Sequence, residues 1–265
     1  MPRFAANVSM LFAEYPFLER FARARAAGFA GVEILFPYDH PPQEIRARLE
    51  DSGLQLVLFN AAPGDRERGE RGLAALPGRE AEFRDAMARA LDLAGTLGCP
   101  RLHVMAGIAP PGTPRETLLA TYAANLAWAA ERCAAQGVKP LIEPINHRDI
   151  PDYVLNTTSQ AAAIIRAIGP ERLGLQFDLY HAQVTEGDIT RRFEALLPLI
   201  THAQVADTPG RHEPGTGEVS WPYVFDRMDA MGYRGWIGCE YRPVEGTEAG
   251  LGWFARYNAQ RISGT

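Results

Sequence analysis

Eight short apolar runs alternate with longer helix-forming stretches from one end of the 265-residue chain to the other. The runs are Phe4–Met10, Gly31–Phe36, Leu54–Asn60, Arg101–Met105, Pro140–Glu143, Leu173–Asp178, Ile200–Ala206 and Trp236–Glu240. The helix candidates are Phe17–Ala27, Pro42–Ser52, Arg79–Leu97, Arg115–Gln136, Thr158–Ile168, Ile189–Leu197, Trp221–Met231 and Glu248–Arg261. In the third of these, Phe83, Ala86, Met87, Ala90, Leu91, Leu93 and Ala94 recur mainly at three- and four-residue spacing, so one face is built to be buried. Strands separated by helices run parallel, and eight such units in about 250 residues close into a (β/α)8 TIM barrel. An open doubly wound sheet is the rival. It carries a Gly-x-Gly-x-x-Gly turn after its first strand, whereas this chain reads Ser9-Met10-Leu11-Phe12 there. No linker, repeat or low-complexity tract divides the sequence, so residues 1–265 are expected to form one domain.

Charge and composition narrow the function. With 27 basic against 32 acidic residues the net charge is −5, which gives no reason to expect nucleic acid as a partner. No window approaches the ~18 consecutive apolar residues of a membrane span, so no membrane partner is expected. The opening Phe4-Ala5-Ala6-Asn7 lacks the basic and apolar regions of an export signal. Cys99, Cys133 and Cys239 are odd in number and far apart, matching neither a disulfide framework nor a zinc-finger spacing. A cytoplasmic location is expected. Lys139 is the one lysine; it opens the fifth run, at the end away from a barrel's catalytic mouth. That excludes an aldolase working through a lysine Schiff base.

Glu143, Asp178, Gln204 and Glu240 each sit where an apolar run ends, 35, 26 and 36 residues apart, about one strand plus one helix each time. In a barrel these four side chains converge on the C-terminal mouth, where barrel enzymes keep their chemistry. Three carboxylates at one point repel one another unless a cation joins them. Oxygen ligands favour a hard divalent ion, Mg²⁺ or Mn²⁺, over zinc. His181 follows Asp178 by one turn of chain. Arg211 lies on the loop after Gln204 and offers a bidentate grip on an anion. His103, on the fourth strand, is either aimed into the mouth or a hydrogen-bonded core residue. The long stretch Ala61–Gly78 after strand three is rich in Gly, Pro and charge, as a lid or substrate loop is.

These positions lie among longer motifs: Ala62-Pro63-Gly64-Asp65, Ala75-Leu76-Pro77-Gly78-Arg79-Glu80, His103-Val104-Met105-Ala106-Gly107, Arg211-His212-Glu213-Pro214 and Gly235-Trp236-Ile237-Gly238-Cys239-Glu240-Tyr241. Over nearly its whole length the chain resembles the hydroxypyruvate isomerase family of xylose-isomerase-like TIM barrels. The resemblance implies Glu143 and Glu240 as catalytic acid and base, with Asp178 and Gln204 completing the metal site. It further implies a small hydroxy-oxo acid as substrate, isomerised through an enediolate; by their places in the sequence His181, Arg211 and His103 are candidates for holding it. The first expectation is hydroxypyruvate, giving 2-hydroxy-3-oxopropanoate. The alternative is a 2-oxo-tetronate isomerase of the same mechanism, and after it a ketose 3-epimerase or a non-catalytic sugar-acid-binding barrel. A homo-oligomer is compatible with this.

Overall fold

In the computed structural model, residues 3–262 are described, with side chains through Tyr257. Among them eight parallel strands close on one another in chain order: β1 (Arg3–Asn7), β2 (Gly31–Ile34), β3 (Gln55–Asn60), β4 (Arg101–His103), β5 (Lys139–Ile142), β6 (Gly174–Asp178), β7 (Ile200–Val205) and β8 (Trp236–Cys239), with β1 bonded to β8. Around them lie α1 (Arg20–Ala26), α2 (Pro42–Ser52), α3 (Glu80–Leu97), α4 (Arg115–Ala134), α5 (Thr158–Ile168), α6 (Leu179–Thr185), α7 (Ile189–Leu196), α8 (Trp221–Ala230) and α9 (Gly252–Ile262). The expected eight-unit barrel is what the chain forms. α2 and α3 end at Gly53 and Gly98 in the left-handed conformation (φ 61° and 64°), where glycine carries no Cβ penalty.

One helix differs from expectation. Residues 179–185, outside the helices expected from the sequence, form α6 directly after β6. Asp178 caps it, its Oδ1 accepting the N–H groups of Tyr180 (2.7 Å) and His181 (3.4 Å). His181 therefore stands on the first helical turn rather than on a flexible connection.

The barrel interior changes character along its axis. At the N-terminal end Ala5, Val57, Leu58, Leu141 and Trp236 pack together. Gly31 makes room for Trp236 there, since a Cβ would meet the indole at 2.9 Å. Two residues further along the same strands the set turns polar: Asn7, Glu33, His103, Glu143, Gln176, His202, Gln204 and Glu240 are all buried. Lys139 sits at the opposite end, its Nζ donating to the Pro170 carbonyl (2.6 Å).

The main apolar core lies between sheet and helices. Phe4 on β1 packs edge-on against Phe225, Trp253 and Phe254, with ring centroids 5.1, 5.1 and 5.8 Å away. Phe254 stacks on Phe29 at 4.3 Å. The last helix is thus fixed over β1 by aromatic packing. Cys99, Cys133 and Cys239 are buried and free. No helix among the described residues is long and apolar enough to cross a membrane.

Candidate active site at the barrel mouth

Glu143 stands just past β5, and Asp178 is the last residue of β6. Glu143 Oε1 and Asp178 Oδ2 are buried and have no hydrogen-bond partner. Glu143, Asp178 and His181 each offer a ligand atom within 4.8 Å of the other two, and His181 Nε2 lies 3.8 Å from Glu143 Oε1 and 3.6 Å from Asp178 Oδ2. Two orphaned carboxylate oxygens facing one space are costly unless something positive enters it. This buried Glu/Asp/His cluster fits a divalent metal ion.

The state of His181 can be read from its neighbour. The Asn146 side-chain oxygen accepts the Asp149 N–H (2.8 Å), so its amide nitrogen faces His181 Nδ1 at 2.6 Å. Nδ1 is then an acceptor, and the ring proton sits on Nε2, 3.8 Å from Glu143 Oε1 and 3.6 Å from Asp178 Oδ2. Burial, helped by the positive charge of Arg211, holds the His181 pKa well below its ordinary value. A neutral imidazole is left with its N–H turned towards the carboxylates. As a metal ligand, His181 would have to exchange this tautomer for the other.

Gln204 and Glu240 reach the same mouth but are bonded differently. Gln204 Oε1 accepts from Gln176 Nε2 (2.6 Å), while its Nε2 donates to Glu240 Oε2 (2.5 Å) and Glu33 Oε2 (3.0 Å). Gln176 also donates to Glu143 Oε2 (2.9 Å). The two glutamates are thereby linked through two amides in the order Glu143–Gln176–Gln204–Glu240. Gln204 Oε1 keeps a second lone pair, beside the one that accepts from Gln176, to offer to a cation.

The remaining candidates are close by. Arg211 Nη2 holds Glu240 Oε1 at 2.7 Å, and its Nη1 meets Asp149 Oδ2 at 3.2 Å. Its loop is wound on the buried Asp207, whose carboxylate accepts from the backbone N–H groups of Thr208, Gly215, Gly217 and Val219. His103 Nδ1 comes within 3.4 Å of Glu143 Oε2 without hydrogen-bond alignment. Burial pushes its pKa down to about 3, so that contact is not an ion pair.

The electrostatics follow from burial. Glu143 is raised well above the usual carboxylate range by desolvation and then by Glu240 and Asp178. Desolvation pushes Glu240 up to about 8 and Asp178 to about 6, with Arg211 opposing both.

A layer below lies a group the sequence reading had not singled out. Glu33 on β2 is closely bonded to His202 Nε2 and accepts from Asn7 Nδ2 (3.3 Å) as well as Gln204. Asn7 also donates to Glu240 Oε2 (3.4 Å). Gly238 leaves the space: a Cβ there would collide with the Glu33 carboxyl. The available signal was an acid inside the otherwise apolar run Gly31–Phe36.

With the geometry in place, comparison with known proteins is decisive for the family. The family described as xylose isomerase-like TIM barrel matches residues 21–257. The chain belongs to this family. It is 56% identical over 257 residues to the 2-oxo-tetronate isomerase of Cupriavidus necator, covering 97% of this chain and 99% of the relative. It is 45% identical over 257 residues to the hydroxypyruvate isomerase of Escherichia coli K12, with 97% and 100% covered. A Brucella melitensis crystal structure described as AP endonuclease, family 2, superposes with a TM-score of 0.95 at 47% identity, covering 97% and 99%. Within this family of barrels the chain is an isomerase, and a buried metal-competent cluster stands at its mouth.

Proposed function

We propose that the chain isomerises 2-oxo-tetronate, moving the carbonyl between C2 and C3, with hydroxypyruvate as the second reading. The observation that carries this choice is the identity of 56% to a 2-oxo-tetronate isomerase against 45% to a hydroxypyruvate isomerase. The order is the reverse of the one first expected from the family resemblance, in which the sequence motifs themselves did not separate the two acids. The two acids share a C1 carboxylate, a C2 carbonyl and a C3 hydroxyl; the larger adds a hydroxymethyl group on C3. One set of proton movements serves both.

In this reading Glu143 and Glu240 are the acid and base: one removes the C3 proton and the other delivers a proton to C2 of the enediolate, while the hydroxyl proton passes from O3 to O2. Their raised pKa values suit carboxyls that exchange protons near neutral pH. The orphaned oxygens of Glu143 and Asp178, with Gln204 and Glu240, would hold Mg²⁺ or Mn²⁺, which when bound supplies Lewis-acid stabilisation of the enediolate. His181, through its Nε2–H, and Arg211 would stabilise the oxygen that gains charge. His103, neutral and beside Glu143, borders the same space.

The test is kcat/KM for both acids with the Mg²⁺-loaded enzyme. The proposal expects 2-oxo-tetronate to be favoured by at least about tenfold, since a specifically recognised hydroxyl discriminates strongly. Preference for hydroxypyruvate by that margin would put the three-carbon reading first. Turnover of neither would overturn the acid isomerase. A nuclease reading is raised by the description of the Brucella melitensis structure, but this chain carries a net charge of −5, the wrong sign for a surface that tracks DNA phosphates.

A further inference from the structure

We propose that Arg71 and Arg242 form the subsite that takes the substrate carboxylate. The proposal rests on the acid-isomerase reading above. The mouth opens into a cleft of about 1110 Å³ that contains Glu240 and Arg211. Five arginines line it against four carboxylates, so it keeps a net positive charge before any anion enters. Three of those arginines are engaged. Arg66 pairs with Asp39 (2.9 Å), Arg148 approaches Asp149 (4.0 Å), and Arg211 is shared between Asp149 and Glu240. Arg211, the sequence's candidate for the substrate carboxylate, is therefore already occupied by protein carboxylates. Among the described residues Arg71 and Arg242 make no ion pair.

Arg71 is also held in place. It precedes Gly72, which bridges to Ala106 beyond β4 and donates its N–H to the Pro63 carbonyl (2.9 Å). Gly72 lies at φ 123°, and a Cβ there would strike the backbone of Met105, so the loop presses on the barrel rim at this point. Ala75 N–H to Ala106 O (2.8 Å) and Asn125 Nδ2 to Ala74 O (2.9 Å) fasten the next turn. Glu70, on the other side, is gripped by both terminal nitrogens of Arg79 (2.5 and 3.1 Å). Arg71 Nη1 donates to the Glu70 carbonyl (2.9 Å), which leaves the rest of its planar fork for a ligand. Arg242 comes from a separate loop, two residues beyond Glu240. Its N–H donates to the Arg211 carbonyl (2.9 Å) and its carbonyl accepts from His212 Nδ1 (2.7 Å). Two guanidiniums on fastened backbone, in the cleft that Glu240 lines and without carboxylate partners, suit a monoanionic acid whose reacting carbons lie next to the carboxylate.

Equilibrium binding tests this separately from turnover. The probes are 2-oxobutyrate and its neutral ketone counterpart 2-oxobutanamide; neither has a hydroxyl next to the C2 carbonyl, so neither can isomerise. The Mg²⁺-loaded wild type should bind the acid about 10- to 100-fold more tightly than the ketone. Arg71→Ala and Arg242→Ala should each remove much of that preference while leaving the ketone Kd within about twofold, and Arg71→Lys should fall between. Equal weakening of both probes by Arg71→Ala would make its role structural and overturn the proposal. So would an unchanged preference in the double variant, or no preference in the wild type. If one alanine variant does not fold, the other and Arg71→Lys decide. A carboxylate preference that depends on these arginines in an enzyme turning over neither acid would leave the subsite standing and remove the isomerase reading.

Discussion

At the scale of single residues, chemistry at the mouth depends on where buried charge is tolerated. In the proposed reaction Glu143 and Glu240 handle the protons, and a Gln at either site keeps the side chain's shape. Glu143→Gln and Glu240→Gln should each fold normally and lose at least about 100-fold in kcat. Thermal denaturation beside steady-state kinetics checks this; more than about a tenth of the wild-type rate in either variant would remove that residue from proton transfer. Gly238 tests the layer beneath. A methyl group there pushes Glu33 off Gln204, and with it the amide that aligns Glu240. Gly238→Ala should cost about 1–3 kcal/mol of stability. It should also lower kcat by roughly 10- to 100-fold, as loss of an orienting partner does. An unchanged kcat would show that Glu33 does not align the site. The four converging residues were legible in the sequence because each closes an apolar run. Their partners were not. Glu33 and Asn7 come from β2 and β1, and barrel closure brings them to Gln204 and Glu240, while Gln176 and Asn146 lie near Asp178 and Glu143 in sequence but bond across to Gln204 and His181. Asp178 illustrates the middle case. Its place at the end of a strand was readable, while its second role was not, since α6, which it caps, lies outside the helices expected from the sequence.

At the scale of elements, the stretch after β3 is the one whose behaviour bears most on function. Expected as a lid or substrate loop, it is tied to the rim through Gly72 and Ala75 and braced by the Glu70–Arg79 pair. The hydrogen bonds from Arg79 hold the Glu70 carboxyl below its ordinary pKa. A carboxyl depressed in the folded state contributes stability above its unfolded pKa of about 4.3 and loses it as pH falls through the lower folded value. Protection of the Gly72 and Ala75 amides against hydrogen exchange should therefore be constant from pH 7 to about 5 and decline below about 4. Glu70→Gln should lower that protection about fivefold at neutral pH, equivalent to about 1 kcal/mol for a partly exposed pair. Protection unchanged in the variant would show that the glycine contacts alone hold the loop.

At the scale of the whole molecule, the barrel was legible because its periodicity repeats eight times, so an error at one boundary does not alter the topology. Strand ends moved by a few residues, as at β1, which stops at Asn7 rather than Met10. The layering of the interior, apolar below and polar above, was out of reach of the sequence because it depends on register between strands far apart in the chain. Function inherits that layering: the packed lower layer makes a floor, and the buried carboxylates above it call for a cation. The most direct test is proton NMR in D₂O with 2-oxo-tetronate, comparing enzyme stripped by chelator with enzyme reloaded with Mg²⁺. The account predicts deuterium entering at C3 and signals of the 3-oxo isomer with the reloaded enzyme, and neither with the stripped one. Exchange that persists without metal would contradict the metal-assisted mechanism, and no exchange with the reloaded enzyme, on this acid or on hydroxypyruvate, would contradict the isomerase itself.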